Sequence, residues 1–213
     1  MIRNNRKTLL LTSLLTISPI LAGLILWNQL PEKFAIHFSN NNGADGWGSK
    51  FFGVFGLPLI LLALQLFVSL ATLADPKRKN INTRIGKMVF WIIPVLSICV
   101  NIFLYSYNLG YDLDIGLWVS LMIGFLFIVI GNYLHKVKQN FTIGIRLPWT
   151  LTSEENWNRT HRMASWIFIL GGIIMIINGF VQSYWLLFSI LMVLFVIPCI
   201  YSFILYKKGS EPP

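Results

Sequence analysis

Side chains able to do chemistry are scarce in this sequence and gather in two polar segments. The first runs from Pro31 to Lys50 and holds His37 and Asp45, an imidazole and a carboxylate that together could move a proton or begin a metal site. Catalytic zinc sites use three protein ligands, and this segment offers two. The competing reading has His37 and Asp45 bonding turn backbone while Trp47 anchors at a membrane interface. The second segment runs from Gly144 to Arg162. Within it Thr152 and Glu155 have the spacing of a capping box, which predicts a helix starting near Ser153 with Arg146 just ahead of its positive end. Arg146, Arg159 and Arg162 could then form a basic pocket for a phosphate or lipid headgroup. Equally, the arginines could serve orientation alone, with Trp149 and Trp157 lying at the interface. The sequence contains no H-E-x-x-H, no G-x-S-x-G and no glycine-rich phosphate loop, so no catalytic residue, metal or cofactor is expected.

The elements that must position these segments are set by hydropathy. Of 213 residues, 55% are hydrophobic and 12% charged, about half the charge of a soluble domain, so lipid is the expected solvent. Five stretches lack Asp, Glu, Lys and Arg: Thr8 to Pro31, Phe51 to Ala74, Met88 to Tyr111, Ile115 to Leu134 and Met163 to Tyr206. About 20 helical residues cross the hydrocarbon layer. The first four stretches therefore predict one span each. The fifth predicts two, broken at Asn178-Gly179 and Gln182-Ser183-Tyr184. The expected fold is an all-α integral membrane protein, one polytopic domain over 1–213, with spans near 8–30, 51–74, 88–109, 115–135, 163–181 and 185–206. A cleaved signal peptide competes for the first span, but the run is long for such a core and no A-x-A site follows.

Lys and Arg set the expected orientation, because short loops rich in them stay in the cytoplasm. Fifteen of the 17 fall at the N-terminus, in the second and fourth loops and in the tail, against Lys33 and Lys50 in the first loop. Both termini are thus expected inside, with a short extracellular lid loop around His37 and a cytoplasmic loop around Arg146. The net charge of +9 is accounted for without direct nucleic-acid binding. In the first loop Phe34, Ile36 and Phe38 alternate with Ala35, His37 and Ser39, predicting a brief strand, while Asn42-Gly43 and Asp45-Gly46 predict turns. Pro19, Pro58, Pro94 and Pro198 lie within spans and predict bends. Cys99 and Cys199 read as small hydrophobes. Gln65 and Asn101 sit deep in spans, where an unpaired amide is costly; they are expected to bond each other or nearby backbone, with a solute path as the alternative.

On these residues the chain resembles a known family. Pro31, Ile36-His37-Phe38, Gly43, Asp45-Gly46-Trp47 and Lys50 are similar to the short extracellular motif after the first helix of SdpI-like membrane proteins. Ile143-Gly144-Ile145-Arg146-Leu147-Pro148-Trp149-Thr150, followed by Asn156-Trp157 and Thr160-His161-Arg162, resembles that family's second signature. The resemblance implies a bacterial plasma-membrane protein that protects its cell from a secreted toxin peptide of the Sdp (sporulation delaying protein) type and holds a small cytoplasmic repressor at the membrane. It implies toxin contact by His37, Gly43, Asp45, Gly46, Trp47 and Lys50. On the inner side it implies a signalling surface that includes Lys77 to Lys87 and the signature residues Gly144, Arg146, Pro148, Trp149, Thr150, Trp157, Arg159, His161 and Arg162. Membrane lipids are the remaining expected partners. A small transporter, channel or lipid-handling protein is the second reading, and an interfacial enzyme using His37, Asp45 or His161 the third.

Overall fold

Apolar runs in lipid become helices because a helix pairs its own backbone donors and acceptors. A computed structural model of the chain describes residues 2–39 and 43–210, so Asn42 of the expected Asn42-Gly43 turn lies outside the described residues. Among those residues six helical stretches are long and apolar enough to cross a membrane: Arg6–Ile25, Phe52–Ala74, Thr83–Asn108, Ile115–Leu134, Glu154–Val181 and Tyr184–Gly209. Their surfaces carry large apolar side chains, with Trp185, Phe180 and Phe67 all well exposed, which suits hydrocarbon rather than water.

The first stretch is divided into α1 (Ile2–Ile17) and α2 (Pro19–Ile25). Pro19 has no N–H to give to Leu15, so Ser18 supplies two substitutes: its backbone N–H at 3.3 Å and its Oγ at 2.8 Å from the Leu15 carbonyl. Strands β1 (Lys33–Phe38) and β2 (Ala44–Ser49) follow, then a π-helical turn (Phe52–Gly56) that leads into α3 (Leu57–Ala74). Helices α4 (Thr83–Asn108) and α5 (Ile115–Leu134) come next. A short α6 (Pro148–Thr152) precedes the long α7 (Glu154–Val181) and α8 (Tyr184–Ser210). Pro94 and Pro198 sit inside the continuous helices α4 and α8, whereas Pro19 stands where the first span divides. The α7–α8 joint falls where the polar residues predicted it. Gln182 adopts a left-handed backbone at φ 54°, and the Asn178 Oδ1 accepts the Ser183 N–H at 3.1 Å.

Contacts divide the chain into two compact units, one of Met1–Leu73 with Gly86–Trp118 and one of Ala74–Ile85 with Val119–Pro213. The first unit is cored by Leu30, Phe34, Val54, Phe103, Tyr105 and Ile115. Deeper in its spans lies a buried polar ladder. The Gln65 Nε2 donates to Thr12 Oγ1 at 2.8 Å, the Thr16 hydroxyl bonds the Gln65 Oε1, and the Ser97 Oγ donates to the Thr16 carbonyl at 2.8 Å. Gln65 and Asn101 therefore do not pair with each other. Asn101 instead gives its Nδ2 to the Ser97 carbonyl at 2.8 Å.

The second unit is cored by Phe127, Ala164, Phe168, Met175, Ile190 and Leu194. Gly124 and Gly172 let the backbones of α5 and α7 touch. A Cβ added at either would stand 2.7 or 2.5 Å from the other's carbonyl oxygen, so a side chain at either site would force the helices apart.

Candidate functional site

The hairpin is built by side chains that point down into the first unit. Phe34 is fully buried and meets Tyr105 edge-on at 6.1 Å, while Phe38 meets Phe103 at 5.3 Å and Tyr107 at 4.7 Å, also edge-on. Backbone is clamped as well as side chain. Asn108 at the end of α4 accepts the Ala35 N–H on its Oδ1 at 2.8 Å and returns its Nδ2 to the Ala35 carbonyl at 3.1 Å, as a neighbouring strand would. The Tyr107 hydroxyl accepts the Ala44 N–H at 3.2 Å.

The pairing β1–β2 is antiparallel and irregular between Ala35 and Phe38, which frees Ile36 and Asp45 from direct opposition. These bulges turn the strand and re-aim its side chains. His37 Nδ1 consequently lies 2.6 Å from Asp45 Oδ1, with about three quarters of the imidazole still exposed. Gly46 faces His37 across the ladder, where a Cβ would come within 2.6 Å of the His37 Cβ. Trp47 is about half exposed and carries the Lys33 ammonium 5.1 Å above its ring. The Gly43 carbonyl accepts the Ser39 N–H at 2.9 Å. Lys50 goes elsewhere: its side chain is buried, donates to the Trp27 carbonyl at 3.1 Å and pairs with Glu32 at 2.9 Å. The segment expected to be only turns after Phe38 thus supplies a second strand. His37, Asp45 and Trp47 are each exposed on it. Among the described residues no group of three His, Cys, Asp or Glu could hold a metal ion.

The second segment folds inward. Trp157 is fully buried against Ile81, Ile85 and Val137 and donates its Nε1 to the Val137 carbonyl at 2.7 Å. His161 stacks on it, with ring centroids 4.0 Å apart, and its Nε2 receives the Ile145 N–H at 2.9 Å. An N–H aimed at Nε2 leaves the proton on Nδ1, which donates to the Trp157 carbonyl at 2.8 Å. Gly144 has φ 120° and lies so close over this pair that a Cβ would strike the His161 Nε2 and stand 3.0 Å from the indole. Thr150, also fully buried, receives the Leu147 N–H on its Oγ1 at 2.9 Å.

Three polar residues that the sequence reading passed over hold this loop shut. Asp75, a lone buried carboxylate in a basic stretch, accepts from the Lys77 N–H at 2.7 Å, the Phe141 N–H at 2.8 Å and the Thr142 hydroxyl at 2.6 Å. Gln139 gives its Nε2 to the Thr150 and Leu151 carbonyls, both at 2.9 Å, and its Oε1 bonds the Lys77 ammonium. Asn140 accepts the Thr142 and Ile143 N–H groups at 2.9 and 2.7 Å. An acidic residue alone among lysines, and amides beside the signature, were the available signals.

Helix α7 begins where predicted, but its cap is Ser153, whose Oγ accepts the Asn156 N–H at 3.2 Å. Thr152 closes α6 by bonding back to the Pro148 and Trp149 carbonyls at 3.3 and 3.2 Å. Glu155, free of the expected capping box, pairs with Arg159 at 3.2 Å. Trp149 donates its Nε1 to the Ser202 Oγ at 2.9 Å and stacks on Tyr206, tying α6 to α8. Of the signature residues, Arg146, Pro148, Arg159 and Arg162 stay at the surface. Arg146 donates to the Phe141 carbonyl at 2.8 Å. A cleft of about 590 Å³ between the start of α7 and the end of α8 is lined by Thr152, Glu155, Asn156, Arg159, Tyr201 and Lys208 among others, and by neither Arg146 nor Arg162. The three arginines are therefore not gathered around that one pocket.

Comparison with known proteins finds a match to each region. Residues 136–202 match the model of the SdpI/YfhL protein family, and residues 14–62 match a domain of unknown function, DUF1648. The inner segment falls in the first and the hairpin in the second. The chain is 31% identical over 192 residues to the immunity protein SdpI of Bacillus subtilis (strain 168), covering 88% of this chain and 90% of that protein. No solved structure matches.

Proposed function

Because the chain belongs to the SdpI/YfhL protein family, we propose that it is an immunity protein of the bacterial plasma membrane that binds a secreted Sdp-type peptide and relays its arrival inward. The hairpin is the outward face and both termini are cytoplasmic. Support comes from the skew of Lys and Arg toward alternate loops, and from the three apolar helices between Ser49 and His135, an odd number, as segments on opposite sides would require. The observation that carries the reading is the exposed His37–Asp45 pair beside Trp47 on a hairpin clamped by Asn108 and Tyr107. A rigid platform showing one titratable pair and one indole can grip a peptide with little ordering cost.

Inside, the exposed basic side chains Arg146, Arg159 and Arg162 on a loop locked by Asp75, Gln139 and His161 provide the surface for a soluble repressor. Expression of the chain in a sensitive bacterium challenged with Sdp-type toxin should raise survival. Unchanged survival would remove the reading. The solute-transport alternative is tied to Gln65 and Asn101, and Gln65 spends both ends of its amide on Thr12 and Thr16. A liposome flux assay with the purified protein is expected to show no transfer.

A further inference from the structure

The basic pocket expected around Arg146, Arg159 and Arg162 is not assembled, but Arg159 lines a different one. The cleft of about 590 Å³ between the start of α7 and the end of α8 falls in the size range of ligand sites, roughly 300–1,000 Å³. Each helix contributes a cation to it, Arg159 from α7 and Lys208 from α8. Glu155, one helical turn before Arg159, also lines it and is already paired with the Arg159 guanidinium at 3.2 Å. Lys208 pairs with no carboxylate among the described residues. The balance of charge in the cleft is therefore positive. Arg159 is held from both helices, because the Tyr201 hydroxyl of α8 bonds it as Glu155 does. A guanidinium has five N–H donors, so others remain for an anion. Ser153 accepts the Asn156 N–H on its Oγ and keeps its own hydrogen to donate. Behind them the buried Asn156 ties α7 to the Ser202 carbonyl of α8 at 2.9 Å, which fixes the back wall.

The place of the cleft along the two helices says which anion it suits. Arg159 stands four residues before the charge-free stretch from Met163 to Tyr206, and Lys208 two residues after it. Both cations thus mark the end of the apolar part of the α7–α8 pair, the level of the headgroups in a bilayer. One turn deeper on α8, Ile204 and Leu205 line the same cleft, and Ile204 is exposed. Tyr206, also in the lining, stacks on Trp149, and such aromatic side chains gather at that level. A cleft cationic at its outer end and apolar at its inner end matches an amphiphile. A soluble phosphate or an acidic protein segment would use the first end and leave the second wet.

We propose that this cleft binds the headgroup phosphate of an anionic phospholipid, with Arg159 and Lys208 on the phosphate oxygens and an acyl chain passing over Ile204. The flat guanidinium offers parallel donors to two phosphate oxygens, and the ammonium adds a point charge. Basic pockets between membrane-crossing helices take headgroups in this way. Arg146 and Arg162, which do not line the cleft, stay with the surface for the soluble partner.

The test places the full chain in phosphatidylcholine nanodiscs with and without phosphatidylglycerol, and reads retained lipid by native mass spectrometry and binding of a fluorescent phosphatidylglycerol. Retention of phosphatidylglycerol over phosphatidylcholine is expected. Arg159→Gln/Lys208→Gln should weaken it roughly tenfold, as for a lost charge-assisted hydrogen bond. Lys136→Gln/Lys138→Gln, which removes two exposed cations outside the cleft, should leave it unchanged. Equal loss in both variants would reveal a general attraction between basic loops and anionic lipid, and would overturn the site. Displacement of the lipid by millimolar inorganic phosphate would overturn the lipid as its source. No retention by the unaltered chain would overturn the proposal outright and leave the cleft to an acidic protein segment. Where the cleft variant fails to accumulate, a photoactivatable phosphatidylglycerol on the unaltered chain decides: label within 201–208 is expected, and its absence there overturns the site. None of these measurements involves toxin, so their outcome is separate from that of the survival assay.

Discussion

The hairpin and the inner loop each contain histidine, tryptophan and glycine in a short polar stretch, yet they use them in opposite ways. In the hairpin, Phe34 and Phe38 go down into the core and His37 and Trp47 stay out. In the inner loop, Trp157 and His161 go down and the arginines stay out. His37 bonds a side chain, Asp45, and keeps most of its ring exposed, whereas His161 spends both nitrogens on backbone groups. A histidine whose two nitrogens are bound to backbone holds a loop in shape. One with a free edge is available to a partner.

That contrast can be broken by substitution. The largest effect is expected from Trp157→Ala, which empties a fully buried site and strands the Val137 carbonyl. It should cost about 3–5 kcal/mol in thermal or denaturant unfolding of the purified protein in micelles, and a cost under about 1 kcal/mol would mean that the inner loop is not held by its indole. Next comes Asn108→Ala, which leaves the Ala35 N–H and carbonyl without their clamp. A loss of about 1–3 kcal/mol is expected, together with faster hydrogen exchange confined to Phe34–Phe38. Unchanged exchange there would show that the hairpin is held by its aromatic contacts alone. The smallest effect on stability belongs to His37→Ala, under about 0.5 kcal/mol, yet it should weaken protection against toxin. If it destabilised the chain as much as Trp157→Ala, the hairpin would be a structural element and the two regions would not differ in kind.

Much of the fold was legible before any coordinates. The six spans, the joint at Asn178 to Tyr184, the strand through Phe34, Ile36 and Phe38 and the start of α7 near Ser153 all follow from local patterns. The second strand did not, because Ala44-Asp45-Gly46-Trp47-Gly48-Ser49 has poor strand formers and becomes extended only by pairing with β1. The cap at Ser153 rather than Thr152 depended on α6, a five-residue helix too short to announce itself.

Taken alone, the sequence determined where the chain must be helical and lipid-facing, since an uncharged run of about twenty residues has no other way to satisfy its backbone in hydrocarbon. The fate of the polar side chains was a tertiary decision. Asp75 meets Thr142, Asn108 meets Ala35, Lys50 meets Trp27 and His161 meets Ile145 across separations of 67, 73, 23 and 16 residues. Whether a histidine or a lysine is displayed or consumed depends on which distant backbone group arrives beside it, and no local pattern of residues encodes that arrival.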